Sequence, residues 1–145
     1  MKENVTVKIK GLDVTSDEFS KKGDNQAIEI ISQGKYKKVN ASDYIKYDEF
    51  YEDFKETGTS IIKISDEVIE ISKKGPVTTK MKFKIADETQ ASYDTPFGTF
   101  KMTIKTHSLL IEHSENAITA RIAYQLWMNS QFVSECNVSI EINSI

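Results

Sequence analysis

The sequence predicts an all-β chain folded as an antiparallel up-and-down barrel of about eight to ten strands. Three observations predict it. Apolar and polar residues alternate with period two from end to end, no segment carries a sustained helical stripe, and turn signals recur about every dozen residues. Even spacing over 145 residues, without internal repeats, favours a single domain, 1–145. A sandwich is the alternative, because periodicity does not show whether a sheet closes.

Val5, Val7 and Ile9 alternate with Thr6, Lys8 and Lys10 in a first strand. Residues 13–25 form a polar loop, in which Ser16-Asp17-Glu18-Phe19 could start a helical turn that Gly23 ends. Strands follow at 27–32, at 36–39 after Gly34, and at 44–50, with Asn40-Ala41-Ser42-Asp43 reversing the chain between the last two. After a polar connection over 51–58, strands 60–64 and 68–72 flank a tight hairpin at Ser65-Asp66-Glu67, and Lys74-Gly75-Pro76 turns the chain again. Val77, Thr79, Met81, Phe83 and Ile85 then share one face. Lys80, Lys82 and Lys84 hold the other, the pattern of an antiparallel sheet with one wet side.

Parity fixes the rest, since a slip of one residue would turn every inward side chain out. Pairing Tyr93 with Phe100 inward requires an even loop, which Thr95-Pro96-Phe97-Gly98 supplies. Pro96 presets φ, and Gly98 accepts positive φ at little cost. Ile118, Ile122, Tyr124, Leu126 and Met128 share a face, as do Phe132, Cys136, Val138, Ile140 and Ile142. Keeping both sets inward requires an odd loop, Asn129-Ser130-Gln131. Between Phe100, Met102 and Ile104 on one side and Leu109 and Ile111 on the other, the apolar parity changes. A bulge near residues 106–108 is therefore expected.

The strings carrying this architecture also resemble a known family. Tyr93-Asp94-Thr95-Pro96-Phe97-Gly98 followed by residues 103–106, Gly75 with Lys80-Met81-Lys82-Phe83, and Tyr124 with the turn at Asn129 are similar to the YwiB-like family of small bacterial proteins. The resemblance spans about residues 5–142. It implies a calycin-type, lipocalin-like barrel and supplies no established activity.

Composition narrows the function classes. A formal charge of -3 with mixed signs leaves no footprint for duplex nucleic acid or an anionic membrane. Lysines alternating with aromatics put the two sets on opposite faces, which defeats a single-stranded stacking platform. With one cysteine, a charged N-terminal segment and no long apolar run, a reduced, cytoplasmic setting is the expectation. Three N-x-S/T matches, at Asn4, Asn40 and Asn137, carry no weight in that setting.

No catalytic, metal or cofactor site stands out. His107 and His113 on one strand would be about 20 Å apart, too far to share a metal. Cys136 faces inward without a local base to lower its pKa, and the carboxylate pairs Asp48-Glu49, Glu52-Asp53 and Asp66-Glu67 sit in turns or on polar faces. The expectation is a non-enzymatic barrel. Its candidate site for a small apolar ligand is the interior formed by Met81, Phe83, Tyr93, Phe100, Met102, Tyr124, Leu126 and Met128. The same residues could fill a small barrel completely.

The alternative is a structural or interaction module, including a homodimer, acting through the outer face. Parity places Trp127 outward with Arg121, and large aromatics with arginine suit interfaces. Phe97 is a third candidate, since a turn needs Pro96 and Gly98 but not a phenylalanine; it would cover a barrel end or dock a partner.

Overall fold

Side chains in an extended chain point alternately to opposite faces, and an alternating sequence can hide its apolar set only by bringing strands edge to edge. In the computed structural model, which describes residues 1–11 and 29–145, this produces ten strands. They are β1 (Asn4–Lys10), β2 (Glu29–Val39), β3 (Ser42–Tyr51), β4 (Glu56–Ser65), β5 (Val68–Lys74), β6 (Thr78–Lys84), β7 (Glu88–Thr95), β8 (Gly98–His113), β9 (Ala117–Met128) and β10 (Gln131–Ser144). Each pairs antiparallel with its neighbours in the chain, and β1 pairs with β10. The sheet therefore closes, as the barrel reading requires, and the sandwich alternative fails. The loop over 13–25 and the helical turn expected within it lie outside the described residues.

Inside, Val5, Val7, Ile9, Ile45, Ile62, Ile69, Ile71, Met81, Phe83, Met102 and Ile104 are fully buried. Phe83 and Tyr124 meet across the interior with ring centroids 5.0 Å apart. Lys80, Lys82 and Lys84 point to solvent, as the alternation predicts. Ile85 leaves the inward set and is largely exposed, because β6 ends at Lys84 and the chain is already turning.

Several connections differ from the sequence reading. The one expected over 51–58 shrinks to 52–55, since residues 56–58 already pair with Tyr51, Phe50 and Glu49. Residues 29–39 form one strand rather than two, running straight through Gly34. A Cβ there would lie 2.7 Å from the Lys46 carbonyl oxygen, so this glycine admits close backbone approach instead of breaking the strand. The reversal between β2 and β3 needs only Asn40-Ala41, with Asn40 at positive φ; Ser42 and Asp43 are already in the ladder. Tyr93 pairs with Phe100 as expected, yet the ladder continues to Thr95–Gly98, so the loop is the two residues Pro96-Phe97. At the last hairpin Asn129 and Ser130, both at positive φ, form a two-residue turn, the twist that suits a tight hairpin.

Parity there is restored inside the strand, by a register shift between Phe132 and Ser134. Phe132 consequently pairs with Trp127 and points outward, contrary to its expected inward position. The bulge expected near 106–108 is present, with the shift between Thr106 and Ser108.

The ten seams are not equally stitched. β6 and β7 pair only at Thr78–Asp94 and Thr79–Tyr93. Farther along, the Thr89 hydroxyl donates to the Lys82 carbonyl at 2.6 Å. Up-and-down topology also gives the barrel two mouths. The first carries the turns 40–41, 66–67, 85–87 and 114–116; the second carries 52–55, 75–77, 96–97 and 129–130.

Candidate functional site

The first mouth holds a cavity of about 980 Å³, open to solvent. The tight Asn40-Ala41 turn puts Asp43 on the face of Ile45 and Tyr47, so its carboxylate enters the barrel and is 3% exposed. Lys38 is its cross-strand partner on β2, and Ile64 its partner on β4. On the far side, the shift after Thr106 brings Leu109, Ile111 and His113 to the inner face, with His113 opposite Ile118 on β9. Without that shift, β8 would present these residues to solvent.

A polar strut crosses the mouth. The Tyr36 hydroxyl donates to Asp43 Oδ1 at 2.5 Å, and His113 Nε2 lies 3.0 Å from Oδ2. Lys38 Nζ is 3.9 Å from Oδ1, beyond hydrogen-bond reach, and its side chain is 59% exposed. Burial, the hydrogen bond to Asp43 and the Asp43 charge together push the Tyr36 phenol up to about 12, so Tyr36 stays a donor at neutral pH. Ile64, Leu109, Ile111 and Ile118 supply an apolar floor, and Asp66 and Glu67 add carboxylates at the rim.

A second charged group lies nearer the other mouth. Lys73 donates to Glu49 at 2.9 Å, with side chains 8% and 17% exposed. Ser60 and Thr79 flank Lys73 on the neighbouring strands and Tyr47 lies opposite Ser60. The Ser60 hydroxyl is near enough to Tyr47 to draw its pKa down slightly, but burial and the Glu49 charge raise it more. That pair does not reach hydrogen-bond geometry, and Thr79 Oγ1 is likewise unpartnered among the described residues. These atoms have almost no surface open to water. This region is a packed wall, not a chamber.

The structure brings the predicted interior residues together. Met81, Phe83 and Met102 have no exposed surface, Tyr124 and Leu126 are 1% exposed and Tyr93 5%, while Phe100 and Met128 are partly buried against them. None of the eight lines the large cavity. The predicted surface residues are scattered. Trp127 does point outward, where Phe132 packs edge-on at 5.6 Å, Lys105 Nζ lies 4.3 Å from the ring centroid and Nε1 donates to Gln125 at 3.3 Å. Arg121 is six residues away on the same strand, about 20 Å. Phe97, at the second mouth, is 84% exposed with its ring 5.8 Å from Phe54.

His107 and His113 are separate: one lies 3.8 Å from Glu135, the other belongs to the mouth. Cys136 is partly buried beside Ser134. Among the described residues, no three metal-ligating side chains are grouped to hold an ion. Sequence reasoning missed Asp43 and Tyr36 and left His113 as a rim residue. Parity could have found Asp43, given a two-residue turn, and His113, which has the parity of Leu109 and Ile111; their meeting across the barrel has no linear signal.

A family profile described as a domain of unknown function, DUF1934, matches residues 2–140. The chain belongs to this family. Among solved structures it is similar to the ywiB protein from Bacillus subtilis, at 21% identity and a TM-score of 0.79, over 99% of this chain and 92% of that one. At that identity the likeness concerns the fold, and it agrees with the YwiB-like strings around Tyr93 and Gly98. No curated protein matches the chain.

Proposed function

We propose that this DUF1934 protein is a non-catalytic binding barrel, and that it takes a small amphipathic molecule in the first mouth. One observation carries the reading: a cavity of about 980 Å³, within the range of ligand sites, combines an apolar floor with one polar wall built on a buried carboxylate. The eight interior residues support the cup from below and would contact a ligand only by rearranging. Binding rather than catalysis is supported by the serines near the strut, which are turned elsewhere: Ser114 to the Ala117 carbonyl, Ser65 to Ser42.

The test is native mass spectrometry of protein purified from cells, with titration of an environment-sensitive apolar dye. Bound mass or dye should be lost in Ile111→Trp, which fills the cup from a half-buried position. Dye binding that survives this change would place the site elsewhere.

A second reading, self-association through the outer barrel, is supported by Phe97 and by Phe132, 50% exposed beside Trp127. Light scattering decides it. A dimer that Phe132→Ser dissociates would support it, and a monomer at high concentration would remove it.

A further inference from the structure

Resting on the reading of the first mouth as a ligand cup, we propose that the cup selects an organic cation, a protonated primary amine on an apolar body, over a carboxylate of the same shape. Of the charged groups lining the cavity, Asp43, Asp66 and Glu67 are acidic, and against them stand Lys38, the imidazole of His113 and the amino group of Met1. Asp43 dominates because it is the buried one: a carboxylate out of water is stabilised by a close cation far more than an exposed one.

Its present partners leave that need unmet. Tyr36 gives a neutral hydroxyl, and each carboxylate oxygen has a further acceptor position after the bonds from Tyr36 and at His113. Lys38, at 3.9 Å and mostly in solvent, is a loose counter-ion. A ligand ammonium reaching Asp43 Oδ1 would displace Lys38 towards water, where its charge is solvated, while the alkyl body covers Ile64, Leu109, Ile111 and Ile118. An incoming carboxylate would meet Asp43 with the two rim carboxylates behind it.

The experiment compares dodecylamine, dodecanol and dodecanoate, below their aggregation thresholds, as competitors of the dye at neutral pH. The amine should bind about 10-fold more tightly than the alcohol, and the carboxylate more weakly than either. Asp43→Asn, which keeps the side-chain shape, should bring the amine down to the alcohol's affinity. Lys38→Met, at an exposed position that does not endanger folding, should raise the ratio of amine to alcohol affinity several-fold. Equal affinity of all three compounds would overturn cation selection while leaving the cup reading intact. Tighter binding of dodecanoate would overturn it in favour of a head site on Lys38 and His113. If none of the three competes, the cup reading fails and this inference with it.

Discussion

Among the described residues the barrel buries charge in two places, and it resolves the two differently. At Lys73–Glu49 the opposite charges meet at 2.9 Å inside packed side chains, so the electrostatic demand is closed within the protein. At Asp43 the buried carboxylate is held by a phenol, an imidazole and a distant ammonium, beside open space. Burial alone therefore does not set a charged group's role. The first arrangement is complete without anything added; the second has spare acceptor capacity facing a cavity.

The largest expected effect lies at the closed pair. Lys73→Met strands Glu49 and should cost about 3 kcal/mol, the low end for a broken buried pair because Glu49 keeps some contact with water. Urea midpoints check this, and the double variant Lys73→Met/Glu49→Leu should return to within about 1 kcal/mol of wild type. Asp43→Asn should cost less, about 1–2 kcal/mol, since an amide oxygen still accepts one bond and Lys38 is already in solvent. If Asp43→Asn were the more damaging of the two, the contrast between closed and open sites would be lost.

A smaller effect distinguishes Tyr36. Its folded-state pKa of about 12 exceeds the ordinary 10.0, so the folded protein keeps the proton where the unfolded chain has released it. Stability should thus fall as pH rises from 10 towards 12, with the contribution intact below 10. Tyr36→Phe should lose about 1 kcal/mol at neutral pH through the bond to Asp43. Its stability should also decline less steeply over that alkaline interval, measured by urea unfolding at successive pH values. Tyr47 and Tyr51 are raised too, by burial and by Glu49, so the variant keeps part of the slope. Smallest of all, Phe97→Ser at the exposed tip should move stability by no more than about 0.5 kcal/mol.

What could be read in advance separates along the same line. The all-β class, the inward faces of β1, β6 and β9, the parity change at Thr106 and the outward Trp127 follow from period-two alternation, which is a local property, whereas closure depends on β1 meeting β10. Turn lengths were harder. Thr95-Pro96-Phe97-Gly98 and a two-residue turn give the same parity, and at Asn129 an odd loop and an even turn with a bulge are equivalent to the pattern of apolar residues. That ambiguity hid Phe132's outward position. It also hid Asp43, which looked like part of a four-residue reversal although Tyr47 and Ile45 already marked its face. Lys73 shares the parity of Ile69 and Ile71, which marks it as inward, but its counter-charge, Glu49, comes from two strands away. The pairing of two charges on distant strands leaves no trace in either neighbourhood.

The sparsely paired β6–β7 seam has a consequence for motion. Elsewhere, opening the wall means breaking many adjacent backbone bonds at once, whereas here Thr78–Asp94, Thr79–Tyr93 and one threonine hydroxyl stand between the closed state and a lateral gap. Local fluctuations are cheapest where the fewest bonds must break together. Amide protons of Lys80, Lys82 and Lys84 should therefore exchange with deuterium ahead of those in β9, as expected of a wall that opens beside Met81 and Phe83 without the barrel unfolding.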